Sequence, residues 1–303
     1  MVDLLTIGRI GIDLFYKGDA IESRDKELHL KLGEKYFVDE LHEGIGGGGA
    51  NVAAAAVKNG ISAGVLGLVG NNPFKSIIMD KMTELGVSNE YCQIKENYLN
   101  ISSIFVMSTG ERTIVDYETP HTGNFIGEAS YPLLDQARAI YLASLPDISL
   151  PERVNLLKYA KSKNKLIVVN LGVRDHEKHS DEYLTLLENA DILIMNKIEF
   201  AKLSGKSEQE LDLEKPISPL IPALSSSPTI VITDGGRGSY GYLQDKVLFQ
   251  APVPVDRVLD TTGAGDAYTG ALIAEYLKSK DLRKAMEKGA LHASTIISKI
   301  GAN

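Results

Sequence analysis

The sequence predicts an α/β protein with a mostly parallel central sheet flanked by helices. Short apolar runs rich in Val, Ile and Leu recur along the chain, each ended by Gly, Asn or Ser, and runs of that length read as buried strands. Longer segments with helical character separate them, and strands alternating with helices imply parallel pairing through crossovers. Two further stretches alternate apolar with polar residues, the pattern of a small sheet with one face in water.

In chain order, the strand candidates are Leu4–Ile7, Gly64–Val69, Ala139–Ala143, Leu166–Val169, Ile192–Met195 and Thr229–Thr233. Helix candidates lie between them. Asn51–Asn59 is Ala-rich and stops at Gly60, and Pro73–Leu85 stops at Gly86; glycine commonly supplies the left-handed residue beyond a helix end. Pro151–Lys163 opens on a proline, which the first helical turn accepts. Residues 15–43 contain ELHLKL and KYFVDEL, and residues 98–118 contain ISSIFVMS and RTIVDYE around a Gly110-Glu111 turn. These predict a small antiparallel sheet set apart from the main one, as surface hairpins or as a lid that excludes water from a site.

Of 303 residues, 44% are hydrophobic and 24% charged, an ordinary globular composition with enough chain for a large core. The 32 basic and 40 acidic side chains give a formal charge of −8. A nucleic-acid binder needs the opposite balance or a basic cluster; Lys161, Lys163 and Lys165 read only as a solvated helix end. Cys92 is the only cysteine, which excludes an intrachain disulfide and a cysteine-based metal site. Asp3 and Arg9 interrupt the first apolar run, and no apolar stretch reaches the roughly 18 residues of a membrane span. Neither a signal peptide nor an anchor is expected, and the expected location is the cytoplasm.

The chemistry concentrates in Asp260 to Leu272, DTTGAGDAYTGAL. Pro252 and Pro254 precede it, and an apolar helical pattern runs on through Ala267, Ala271, Ala274 and Leu277. Gly263, Ala264 and Gly265 therefore stand where a helix begins. Small residues let a ligand reach the backbone, and the first amides of a helix lack internal partners. Those donors and the positive end of the helix dipole form an anion site. Asp266 falls in the first turn beside it. A carboxylate next to a bound anion is unfavourable unless it has a task, and the task that fits is taking a proton from an attacking hydroxyl. In isolation, the same acid would do no more than complement the dipole. A second glycine cluster, GIGGGGANVAAAA from Gly44 to Ala56, also switches into a helix, as it would where backbone presses against a ligand.

The run from Asp260 resembles the C-terminal signature of the ribokinase-like (PfkB) carbohydrate kinases, D-T-x-G-A-G-D before an apolar helix. The resemblance implies a ribokinase-like α/β fold over residues 1–303 as a single kinase domain, with a small β-sheet lid from about 15–43 and 98–124. It implies an ATP-dependent sugar kinase in which Asp266 is the base and the amides of Gly263, Ala264 and Gly265 stabilise the transferring phosphoryl group. Asp260 and Thr262 would help hold a monovalent cation, K+. Gly47, Gly48 and Asn51 would line the sugar site. Many ribokinases carry Lys where Gly48 stands; its absence argues against ribose and against a phosphorylated sugar.

Other matches follow in order along the chain. Asp13 in GRIGIDLF reads from the residues alone as a turn cap, or as a group at a strand's carboxyl end where open α/β sheets bind ligands; the resemblance makes it a sugar-hydroxyl ligand. Asn196 and Glu199 share a helix face after the strand DILIM and resemble an N-x-x-E element whose acid orients Mg2+ through water. Thr233, Gly235 and Gly238 resemble a T-x-G-x-x-G turn on the nucleotide phosphates, although a tight strand turn needs the same glycines. Gly289 and Ala290 would border the adenine, and His292 reads as a packed histidine. Asn170 and Arg174 are spaced as in some relatives with acidic substrates, where an Arg could clasp a carboxylate; from the residues alone Arg174 reads equally as a surface arginine.

The implied acceptor is a small non-phosphorylated carbohydrate of fructose, ribose or keto-deoxy sugar acid type. A nucleoside kinase is the alternative, with Phe15, Tyr16, Phe105 and Tyr117 available to stack on a base. A non-catalytic sugar or nucleotide sensor would show a degraded base or glycine run, and both are intact here. Gly8 and Gly11 lack the third glycine of a dinucleotide fingerprint. The expected partners are a sugar and ATP, with no nucleic acid and no membrane. By analogy with relatives, a homodimer would form through the lid.

Overall fold

The computed structural model describes all residues except 19–21, 25–26, 108–111, 121–124, 173–174, 176–180, 218–219, 222–223, 225–227, 244–245, 300 and 303. In chain order the strands are β1 (Val2–Ile7), β2 (Gly11–Lys17), β3 (Glu22–Arg24), β4 (Glu27–His29), β5 (Glu40–Gly46), β6 (Ala63–Leu66), β7 (Leu68–Gly70), β8 (Gln93–Lys95), β9 (Asn100–Val106), β10 (Arg112–Glu118), β11 (Ala137–Leu142), β12 (Leu166–Val169), β13 (Ile192–Asn196), β14 (Thr229–Thr233), β15 (Ser239–Leu243) and β16 (Lys246–Gln250). The helices are α1 (Gly48–Lys58), α2 (Phe74–Glu84), α3 (Tyr131–Leu134), α4 (Leu150–Ser162), α5 (Asp181–Glu188), α6 (Lys197–Ser204), α7 (Ala264–Ser279) and α8 (Leu282–Ile297).

The main sheet has eight strands in the order β16-β15-β14-β13-β12-β11-β1-β6. Pairing is parallel from β6 to β14 and antiparallel over the last two joins. Strands such as β1, β6 and β11 are buried along nearly their whole length, as crossovers that cover both faces require. Ala53 of α1, Leu272 of α7 and Met286 of α8 pack one face, while Leu157 of α4, Leu186 of α5 and Phe200 of α6 pack the other.

Small residues set one helix contact that matters for the site. Gly270 on α7 meets α1, where an added Cβ would lie 2.6 Å from Ala55 Cβ and 3.0 Å from Ala56 N. The two helices thus approach at backbone distance along the Ala-rich face of α1.

The structure differs from the sequence expectations in four places. The run Gly64–Val69 divides into β6 and β7, because β7 leaves the main sheet to pair with β8. At the break, a side chain on Gly67 would press within 2.9 Å of Ile10 Cδ1. The small sheet, order β10-β9-β2-β5, is mixed rather than purely antiparallel: β2 and β9 run parallel. Both leave the body in the same direction, tied at their starts by Asn100 Nδ2 donating to Ile10 O. In the first lid segment, strands β2 and β5 extend from Gly11 to Gly46, beyond the expected 15–43 at both ends, whereas residues 30–39 are not strand. Leu30, Leu32 and Phe37 there are exposed, and alternation without a layer to pack on makes no sheet. Lastly, α1 starts at Gly48, ahead of the expected Asn51. The Gly110-Glu111 turn and residues 121–124 of the expected lid lie outside the described residues.

Candidate active site

Helix α7 opens on Gly263 at φ 71°, a left-handed conformation that glycine adopts without steric cost. A Cβ there would lie 2.9 Å from Ala302 Cα. No side chain caps this helix. Ala264 N makes a long 3.3 Å bond to Thr261 O, and the amides of Gly263 and Gly265 donate to no group among the described residues. An added side chain at Gly265 would meet only open space. Unpaired donors, the dipole and an open approach together suit an anion.

Asp266 is half-buried in the first turn. Its Oδ2 accepts a 2.9 Å bond from Asn51 Nδ2. The packing of α1 on α7 explains this bond. Asn51 and Ala55 are four apart on one helix face, as are Asp266 and Gly270 on the other. Contact at Ala55 and Gly270 therefore brings the preceding turns together. Burial pushes the Asp266 carboxyl up to about 6; the Asn51 bond opposes the shift and the charge of Asp13 adds to it. Gly48 leaves backbone in front of the other carboxylate oxygen, since a Cβ there would sit 3.7 Å from Oδ1.

Asp13 lies within β2 of the small sheet, not at the carboxyl end of a main-sheet strand as the sequence suggested. The chain turns out of the body at Gly8 to Ile10, so the acid is carried over the cleft. It is buried and accepts a bond from Ser102 on β9. Burial pushes it up to about 6, opposed by Ser102, with the charges of Asp116 and Asp260 adding. A Cβ on Gly46 would overlap this carboxylate, and Gly47, at φ 91°, presses on Arg9 O. The glycine cluster is thus needed where β5 passes into α1 beneath Asp13.

A cavity of about 590 Å³ opens beside the mouth of α7, a size typical of small-molecule sites. Thr233 lines it from the end of β14, Gly235 and Gly238 from the turn that follows, Ala264 and Gly265 from the helix mouth, and Ala290 from α8. Tyr268, Val255 and Ile297 complete its apolar walls. Gly289 is buried against the Tyr268 ring, 3.0 Å from it by an added Cβ.

Asn196 and Glu199 form a capping box on α6: Asn196 Oδ1 accepts from Glu199 N at 2.9 Å, and Glu199 Oε2 accepts from Asn196 N at 2.8 Å. The N-x-x-E pattern therefore has a structural task whatever else it does. Glu199 is 8% exposed. Burial pushes it up to about 7; the Asn196 backbone bond opposes this, and the charges of Asp266 and Asp175 add to it. Among the described residues no group of three or more potential metal ligands occurs, so a divalent ion here would draw its remaining ligands from phosphates and water.

Asp260, 2% exposed, accepts from Thr262 N at 2.8 Å and Thr262 Oγ1 at 2.6 Å through Oδ1, and from Gly301 N at 3.0 Å through Oδ2. Arg112 of β10 also reaches it.

The pfkB family carbohydrate kinase model matches residues 4–303. This chain belongs to the pfkB carbohydrate kinases. It is accordingly a phosphotransferase that acts on a sugar hydroxyl. The 5-dehydro-2-deoxygluconokinase of Bacillus subtilis (strain 168) is 27% identical over 98% of this chain and 90% of its own length. A nucleoside kinase of Methanocaldococcus jannaschii is 24% identical over 99% and 92%. Among solved structures, Arabidopsis thaliana ribokinase complexed with ribose and ATP superposes with a TM-score of 0.80 at 20% identity, covering 99% of this chain and 94% of that one. Adenosine kinase of Sinorhizobium meliloti gives 0.79 at 20%, covering 100% and 95%. The fold is ribokinase-like.

Within this pfkB kinase, Asn170 follows β12 at the same sheet edge and bonds Leu142 O through its backbone at 3.0 Å. Arg174 lies outside the described residues. His292 is half-buried, and burial pushes it below the ordinary histidine range, aided by Lys58, Lys288 and Lys299. Gly270, Ser102, Tyr268 and Arg112 escaped the sequence reading. Gly270, a glycine inside a helical pattern four residues after Asp266, was the most accessible of them; the others depend on pairing across the cleft. No described helix is long and apolar enough to cross a membrane.

Proposed function

We propose that residues 1–303 act as one ATP-dependent kinase unit that transfers the γ-phosphoryl group to a hydroxyl of a small non-phosphorylated sugar, with Asp266 as the base. The observation that carries this reading is the position of Asp266, bonded to Asn51 and adjoining both the unpaired amides of α7 and the 590 Å³ cavity. Asp13 and Asn51 would hold the acceptor hydroxyls. As the sugar oxygen attacks phosphorus, its proton passes to Asp266 and the bond to the leaving ADP breaks. The amides of Gly263 and Gly265 stabilise the charge on the transferring group, and positioning with electrostatics supplies most of the rate. Mg2+, held through water by Glu199, would supply charge neutralisation on the phosphates.

Among acceptors, the keto-deoxy sugar acid class is supported by the name of the Bacillus subtilis relative. A nucleoside base finds less support. Phe15 is buried in the lid with Ile104 and Val106, and Tyr16 stacks on Phe105 at 5.5 Å, so these rings are engaged with one another. Exposed apolar side chains on the lid segments, including Phe37, Leu41, Val115 and Tyr117, support a homodimer through that face.

An ADP-release assay over sugars, sugar acids and nucleosides tests the reading. A sugar or sugar acid should give the highest rate. Asp266→Asn should keep nucleotide affinity and lose turnover by about 10²–10⁴-fold, the usual worth of a positioned base. Near-native turnover in that variant would overturn the assignment.

A further inference from the structure

Asp260 lies three residues ahead of Gly263, which opens α7, and its buried carboxylate accepts from Thr262 N in the connecting loop. A buried carboxylate there places negative charge behind a site for a phosphoryl group, so it requires a compensating cation. Its oxygens offer about four lone-pair sites. Thr262 N and Thr262 Oγ1 donate to Oδ1, Arg112 Nη1 lies 3.2 Å from the same oxygen, and Gly301 N donates to Oδ2. The same Nη1 donates to Thr261 Oγ1 at 2.7 Å. The positive charge that a K+ ion would bring to this carboxylate is already supplied by Arg112.

We propose that Arg112 stands in for the monovalent cation: its guanidinium neutralises Asp260 and latches the lid onto the anion-hole loop, so that the transfer proposed above, on which this inference rests, requires no K+. A guanidinium is permanently charged, planar and weakly hydrated, which suits a half-buried pair better than an ammonium. Its place in the fold gives the substitution a consequence. Arg112 opens β10, which pairs with β9, which pairs with β2 and Asp13. The charge behind the anion hole therefore arrives on the same sheet that carries Asp13 over the acceptor. A free ion makes no such connection between the sugar and the phosphoryl site. Arg112 acts through Asp260 and the loop and is a positioning residue.

Thallous ion, a K+ surrogate, tests the proposal without reference to catalysis. Calorimetric titration with thallous nitrate should give no binding to the wild-type protein and binding to Arg112→Ala, whose Asp260 has lost its cation. Sugar-dependent ADP release is then compared in potassium and tetramethylammonium chloride at equal ionic strength. Wild-type turnover should agree within about twofold, and Arg112→Ala should fall roughly tenfold or more in tetramethylammonium, as expected for an uncompensated buried charge, and recover in K+ or guanidinium. Arg112→Lys should stay independent of K+. Thallous binding to the wild type, activation of the wild type by K+ beyond about fivefold, the low end of a true coupling, or an Arg112→Ala turnover that is unchanged or that neither cation rescues overturns the proposal. The wild-type arms need no variant, so a misfolded Arg112→Ala leaves the question decided. If no acceptor is phosphorylated in either salt, the kinase reading fails and the thallous titration still settles the cation.

Discussion

Burial holds Asp13 and Asp266 at about 6 and Glu199 at about 7, above the ordinary carboxylate range. For Asp266 the direction fixes two opposite pH trends. As base it must be ionised, so kcat/KM for the preferred sugar should fall as pH drops through about 6, which a pH–rate profile reads directly. For stability the sign reverses. The folded-state value of about 6 exceeds the ordinary aspartate value of 3.8, so the folded chain binds the proton more tightly than the unfolded chain. The resulting penalty is fully present above about 6 and disappears as pH falls below 3.8, by proton linkage. Asp266→Asn mimics the protonated acid and retains an oxygen for the Asn51 bond. Its Tm should exceed that of the wild-type apoprotein at pH 7.5, with the gap closing toward pH 4. A variant no more stable than wild type at pH 7.5 would contradict the assigned burial. At this scale Asp266 and Asn51 were legible as members of two motifs, but their mutual bond was not.

At the scale of elements, the site depends on how closely α1 and α7 approach. Ala favours a helix over Gly by about 1 kcal/mol, so propensity alone makes Gly270→Ala stabilising. The contact says otherwise: its Cβ would face Ala55 Cβ at 2.6 Å and backbone of α1, where overpacking costs about 1–3 kcal/mol. Gly270→Ala should therefore lower Tm, read by circular dichroism. It should also lower kcat, because separating the helices lengthens the Asn51–Asp266 bond one turn away. Helix ends were well read from sequence because Gly60 and Gly86 act locally. The N-x-x-E pattern of Asn196 and Glu199 was read for its shared face, while its capping box depends on the backbone geometry of the first turn.

Across the whole molecule, the small sheet brings Asp13 and Arg112 over the carboxyl side of the main sheet while exposing apolar groups outward. On β10, Val115 and Tyr117 alternate with Arg112, Ile114 and Asp116, so they share the opposite face of the sheet. Phe37 is 82% and Leu41 62% exposed, and apolar groups gathered on one element mark an interaction surface. Sedimentation should show a dimer that Phe37→Glu with Leu41→Glu converts to a monomer. A wild-type chain that sediments as a monomer at micromolar concentration would remove the dimer from the reading.

The sequence by itself determined the alternation of strands and helices, the ends of α1, α2 and α4 to within a few residues, and the order of the motifs. Periodicity, glycine termini and proline starts are local properties, readable one segment at a time. Only the tertiary structure decided that Asn51 bonds Asp266 across 215 positions, that β2 runs parallel to β9, and that Arg112 meets Asp260. Each depends on which surfaces the helices and sheets bury against one another. A side chain's distant partner is chosen by that packing, and no local pattern encodes it.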